Sequence, residues 1–249
     1  GAVVAPGTGD NMAAALGLGL RPGDLVLSFG TSGTAYTVSD RPSADPTGQV
    51  AGFADATSRF LPLVCTLNAT RVLDAVARLL GVDLDELDRL ARAGRPGAGG
   101  LVLVPHLDGE RTPNRPGATG TLTGLRTDVT RQQLARAAIE GVVCNLLDGA
   151  DRRPAATGQA LDGRVVVIGG GARSRALGQV VADLVGRPAW VPTHDELVAR
   201  GAAVQAAAVL EGCPLDEVSA AWGLDQGTTT DPAPGVEAEK ERGLADELD

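Results

Sequence analysis

Three Phe, two Trp and one Tyr are all the aromatic residues in this 249-residue chain, a share of 2%. Apolar content is nonetheless 43%, so a core must be built from Ala, Val and Leu, and the length is enough for a sizeable one. Lysine is nearly missing: Lys240 is one of 22 basic residues, the rest being Arg. That excludes a GxxxxGK[ST] phosphate loop. His106 and His194 are the only histidines, and neither has a metal-like partner nearby. No metal site is expected from side-chain spacing. Cys65, Cys144 and Cys213 are odd in number and far apart, which argues for free thiols in a reducing, cytoplasmic setting rather than a disulfide frame. The net charge of -9 comes without a basic stripe, so no nucleic-acid partner is expected. No apolar run has membrane-spanning length and no secretory leader is legible, so no membrane partner is expected either.

What is present is glycine, set in a few short patterns. Gly7-Thr8-Gly9-Asp10-Asn11 turns into an Ala-rich stretch and offers a carboxylate beside a carboxamide. Asp10 can serve there as a helix N-cap or as an acceptor for a substrate hydroxyl. Leu25 to Phe29 reads as a buried strand, followed by Gly30-Thr31-Ser32-Gly33 and a second strand from Ala35 to Val38. Such a turn grips an anion with backbone N–H groups and small hydroxyls, or is an ordinary hairpin. Val165 to Ile168 has four β-branched residues in a row, as suits a strand buried on both faces. Gly169-Gly170-Gly171-Ala172 then leads into a helix with Leu177, Val181 and Leu184 on one face. The turn resembles a nucleotide-binding one, but it is not GxGxxG and no acidic residue ends a following strand. No GxSxG elbow appears, so a Ser–His–Asp hydrolase is disfavoured.

Taken in order, Gly9-Asp10-Asn11, Gly30-Thr31-Ser32-Gly33, Gly109-Glu110-Arg111-Thr112-Pro113, Gly169-Gly170-Gly171-Ala172-x-Ser174 and Arg200-Gly201-Ala202-Ala203 resemble the C-terminal domain of the FGGY carbohydrate kinases. The resemblance runs from about Val3 to about Glu211. It implies an α/β fold of the ribonuclease H-like, actin and hexokinase type, a mixed sheet with flanking helices. It implies ATP-dependent phosphorylation of a sugar, with a pentulose such as D-xylulose favoured and ribulose, gluconate or glycerol as alternatives. Asp10 matches the family's catalytic base, and Asn11 lies beside it where the family contacts sugar. Gly30, Thr31, Ser32 and Gly33 match the motif around the β- and γ-phosphates. Gly170, Gly171, Ala172 and Ser174 match the adenosine motif, and Asn68 is placed near the nucleotide by a looser alignment. Mg²⁺ accompanies ATP in the family. Its acidic ligand, the first phosphate motif and much of the sugar pocket belong to an N-terminal domain that this chain is expected to lack and to need. A non-catalytic nucleotide-binding fragment is the alternative of a different class.

The expected organisation is a kinase domain over residues 1–212 and a partly disordered extension over 213–249. A homodimer is compatible with the pattern without being specified by it. Val3 to Ala5 and Leu101 to Val104 read as further strands, and Leu73 to Leu80 and Leu84 to Ala93 as helices. Thr130-x-x-Gln133 opens another helix, with Leu134, Ala138, Val142 and Leu146 on one face. Residues 151–163 read as a polar loop. Leu224 to Thr228 looks like the family's N-terminal signature but reads as a coincidental turn. A local ion pair is expected between Glu110 and Arg111. Arg111, Arg173 and Arg175 are candidate cations for an anionic ligand.

Overall fold

The computed structural model describes residues 2–158 and 160–234, with the backbone alone for 152–156. Its centre is a seven-stranded sheet. The strands are β1 (Leu25–Phe29), β2 (Gly33–Tyr36), β3 (Ala51–Ala54), β4 (Phe60–Thr66), β7 (Val165–Ile168), β8 (Ala189–Pro192) and β9 (Gly227–Thr230). The order is β3-β4-β2-β1-β7-β8-β9. β1 runs antiparallel to β2 and parallel to β7, and β7 runs parallel to β8. An antiparallel meander continued by parallel strands is the mixed sheet the resemblance implies. A short pair, β5 (Val102–Val104) and β6 (Thr121–Thr123), stands apart from it.

Strand alternation sorts the core onto two faces. Leu25, Leu27, Phe29, Val165 and Val167 pack on one side. That side is covered by α2 (Thr70–Leu80), α3 (Leu84–Ala93), α4 (Arg131–Thr157) and α5 (Arg175–Val185). Val26, Tyr36, Leu63, Val166 and Ile168 point to the other side, against α1 (Asp10–Gly17) and Leu197 of α6 (Leu197–Glu211). α7 (Leu215–Ala221) packs on α6 through Val218 and Val204. Burial on both faces explains why β1 and β7 are near-continuous apolar runs.

Local signals set the helix ends. The Asp83 carboxylate accepts from the Glu86 N–H at 2.8 Å and caps α3. Gly81, at φ +66°, ends α2 in a left-handed cap. At α4 the Gln133 amide oxygen accepts from the Thr130 N–H at 2.8 Å, and the Thr130 hydroxyl accepts from the Gln133 N–H at 3.3 Å. The capping box is therefore formed.

Three expectations change. Val3 to Ala5 is not a strand: Val4 is 87% exposed, and no strand pairs with this segment among the described residues. Residues 151–157 are not loop but the last turns of α4. The supposed turn at Leu224 to Thr228 leads into β9, which pairs antiparallel with β8 from Gly227↔Pro192 to Thr230↔Ala189. An edge strand needs only one partner and carries polar Thr without cost, so it has no buried-strand signature. α7 and β9, both past residue 212, pack on α6 and β8. The Asp183 carboxylate, on α5, secures the segment after β9 by accepting from the Ala233 N–H at 2.8 Å. The rest of the expected extension, residues 235–249, lies outside the described residues.

Candidate active site

Two glycine turns meet at one edge of the sheet because β1 and β7 are parallel neighbours, in register at Ser28↔Ile168. Their carboxyl ends open side by side, the place where open α/β sheets bind ligands. In the first turn Thr31 and Ser32 are exposed, while Gly33 is buried. A Cβ at Gly33 would reach the Thr66 hydroxyl and Leu146. The turn is fixed to α2: the Gly30 carbonyl accepts from Thr70 N–H at 3.0 Å and from its hydroxyl at 2.8 Å. In the second turn Gly169 has φ +85°, and a Cβ there would strike the Phe29 backbone. Gly171 is closed off by Phe29 and Thr70, whereas Gly170 faces open space. Ser174 caps α5, accepting from the Leu177 N–H at 3.1 Å and donating to Asp88 at 2.7 Å.

Asp10 does not act as an N-cap. Gly9 occupies that position without a side-chain bond, and Asp10 is the first residue of α1, exposed. One of its carboxylate oxygens accepts from the Asn11 N–H at 2.8 Å and from the Asn11 side-chain amide at 3.2 Å. Asp10 and Asn11 thus form one polar group on the sheet face that carries Tyr36 and Cys65. Tyr36 is 0% exposed, and its hydroxyl has no hydrogen-bond partner among the described residues. Burial pushes its phenol well above the ordinary value, and the Asp10 carboxylate adds to that. Burial also raises the Cys65 thiol; Arg111 opposes this rise and Asp10 adds to it. α1 is held in place at the backbone level. A Cβ at Gly201 of α6 would run into the Ala13 carbonyl, and one at Gly17 into the Leu197 carbonyl.

The match to known proteins follows this geometry. Residues 25–210 match the family model for the C-terminal domain of the FGGY family of carbohydrate kinases. The chain belongs to this family. It is 50% identical over 244 residues to the xylulose kinase of Streptomyces coelicolor, covering 96% of this chain and 48% of that protein. It is 50% identical over 228 residues to the xylulose kinase of Streptomyces rubiginosus, covering 89% of this chain and 44% of that protein. The crystal structure of xylulose kinase from Bifidobacterium adolescentis superposes with a TM-score of 0.80 at 45% identity, over 96% of this chain and 47% of that one. The chain spans about half the length of the curated relatives it matches.

Within this FGGY domain, some expected residues already have partners in the chain. Asn68 is 1% exposed, and its amide donates to the Gly109 carbonyl at 2.7 Å and to Glu110 at 3.0 Å. It braces the loop that carries Gly109 and Glu110. Glu110 is not paired with the Arg111 guanidinium. Its carboxylate, 1% exposed, accepts from the Leu67 and Arg111 N–H groups and from the Asn68 and Asn145 amides. The Asn145 amide oxygen in turn meets His106 Nε2 at 3.1 Å. Arg173 is paired with Asp195 at 3.5 Å, both largely exposed. Among the described residues no three His, Cys, Asp or Glu side chains form a group that could hold a metal ion. No described helix is long and apolar enough to cross a membrane. A concavity of about 600 Å³ lies at the other end of the sheet, lined by Arg21, Asp24, Arg164 and Trp190. Its Arg164 is already neutralised by Asp24 at 2.7 Å, and the glycine turns are not part of it.

Sequence reading overlooked Tyr36 and Asn145. A signal existed for each. Tyr36 is the lone Tyr, on a strand beside a glycine turn. Asn145 is a polar residue three positions after Val142, on the buried side of α4.

Proposed function

We propose that this chain is the nucleotide-binding half of a xylulose kinase. In this reading it transfers the γ-phosphoryl group of ATP to D-xylulose and yields D-xylulose 5-phosphate. The observation that carries the reading is the adjacency of the two glycine turns at the ends of parallel β1 and β7, with Asp10 and Asn11 at the head of the neighbouring helix. Relatedness to xylulose kinases over nearly the whole chain supports the sugar. A gluconokinase from Bacillus subtilis matches at a lower identity, 30%.

The chemistry asks mainly for positioning and charge stabilisation. Thr31, Ser32 and the backbone of Gly30 and Gly33 would hold the polyphosphate, and the open face of Gly170 with Ala172 would take the adenine side. Asn11 would orient the sugar. Asp10 would accept the proton of the attacking hydroxyl as its oxygen bonds to phosphorus. The bond from the γ-phosphorus to the bridging oxygen breaks, and ADP leaves with that electron pair. Mg²⁺ would screen the phosphate charge, arriving with the nucleotide. A preceding domain would supply the rest of the sugar pocket, and the cytoplasm is the natural setting for such a reaction.

The test pairs binding with turnover. Mg-ADP titrated calorimetrically into the folded chain is expected to bind saturably. Joined to its N-terminal domain, the protein is expected to release ADP fastest with xylulose, against ribulose, gluconate and glycerol. Asp10→Asn should lower that rate about 10² to 10⁴-fold. A folded chain without Mg-ADP binding, or a preference for another sugar, overturns the reading or its substrate.

A further inference from the structure

A buried carboxylate is costly unless donors meet its oxygens, and four donors around one carboxylate fix the segments that supply them. Glu110 is that carboxylate, and what it holds is a loop that carries a cation to the surface. The loop is closed by reciprocal backbone bonds of 2.9 Å between Glu110 and Arg115. Glu110 also grips the Leu67–Asn68 segment from one side. From its other side this segment reaches the first glycine turn, where Ala69 N–H donates to the Thr31 carbonyl at 3.3 Å and Thr70 to Gly30. One run of hydrogen bonds therefore links Thr31 to Arg111. The Arg111 side chain is exposed and makes no ion pair among the described residues. The Arg111 backbone N–H shares one Glu110 carboxylate oxygen with the Leu67 N–H, one residue past Thr66, which pairs with Gly33 of the first turn. In a chain of net charge -9, an unpaired guanidinium held there by a buried carboxylate is a local reversal of sign that suits an anion.

We propose that Arg111 is a phosphoryl-binding side chain of this site and that Glu110 is its positioning residue. The inference rests on the proposed function. The ligand chemistry is a tetrahedral phosphoryl group, presented either as the terminal group of a Mg-nucleoside triphosphate or as the phosphate of the sugar product. The planar fork of Arg suits such a group better than the point charge of Lys.

The experiment is calorimetry on the chain joined to its N-terminal domain, with Mg-ADP, the Mg complex of a non-hydrolysable ATP analogue, and xylulose 5-phosphate. Arg111→Met is expected to weaken the triphosphate or the sugar phosphate about tenfold while leaving Mg-ADP within about twofold. Loss on the triphosphate identifies the nucleotide as the source, and loss on the sugar phosphate identifies the product. Arg111→Lys should recover part of the loss. Glu110→Gln should show the same selective pattern, and the double variant should bind no worse than Arg111→Met alone. Thermal melts check that each variant is folded. Arg111→Met binding all ligands as wild type does, or losing all of them equally, overturns the assignment of Arg111. Additive losses in the double variant overturn the positioning role of Glu110. A wild-type chain that binds none of the three removes the proposed function, and this inference with it.

Discussion

The two glycine turns sit side by side, yet they use glycine differently. In Gly30-Thr31-Ser32-Gly33 the outer position is given to hydroxyls, and Gly33 is small because Thr66 and Leu146 lie against it. In Gly169-Gly170-Gly171 two glycines yield to Phe29, one by backbone approach at positive φ and one by side-chain crowding, and only Gly170 looks outward. A glycine motif is thus a mixture. Some members admit the protein's own neighbours, and others leave room for a ligand.

The comparison can be broken by substitution. Its largest expected effect is Gly171→Val, which overpacks the contact with Phe29 and should cost about 1–3 kcal/mol in chemical denaturation. Gly170→Val, one residue away, should stay within about 0.5 kcal/mol of wild type and instead weaken Mg-ADP binding. Equal destabilisation of the two variants would show that both glycines serve packing.

A smaller effect is expected where the second turn enters α5. Ser174→Ala removes the cap and the tie to Asp88, and should cost about 1 kcal/mol. Burial works against the Asp88 carboxylate, but bonds from Ala176 N–H, the Ser174 hydroxyl and Arg92 outweigh it and hold the group below its ordinary range. A carboxyl depressed in the folded state stabilises above its unfolded value, and that stability is lost as pH falls toward the folded one. Melting temperature followed from neutral pH into the acid range should therefore drop less steeply in Asp88→Asn than in wild type. An unchanged acid limb would remove Asp88 from the support of this turn.

Smallest in stability is the effect at the first turn's tip. Thr31→Ala and Ser32→Ala should each lie within about 0.5 kcal/mol of wild type while weakening Mg-ADP a few-fold. A stability loss comparable to Gly171→Val would make the hydroxyls structural and erase the contrast between the turns.

How far the sequence reaches depends on the kind of restraint. β1 and β7 lie where their apolar runs place them, because strands buried on both faces leave a continuous signal. α3 begins and ends as read, from Leu84 to Ala93, because its limits are local. Asp10, Asn11 and both turns, the positions that the resemblance names, lie on elements packed around one sheet edge. Long-range partners escaped notice. Nothing near Glu110 in the sequence announces that its donors come from residues 67, 68 and 145. Arg111, adjacent and opposite in charge, suggested an ion pair that the fold does not make. Asn68 is a like case: only the folded chain shows what lies on its amide. β9 escaped because an edge strand of Gly and Thr is indistinguishable from a turn until Trp190 is beside it.

The crossing of α1 and α6 bears on how Asp10 can move. Gly201 meets the Ala13 carbonyl, and Gly17 meets the Leu197 carbonyl, with no side chain between the two backbones. Side chains act as cushions, since they change rotamer when a neighbouring element shifts. A bare backbone crossing has no such give. The two helices are therefore held at one separation, and a side chain larger than Gly at either position would shift the helix that begins with Asp10.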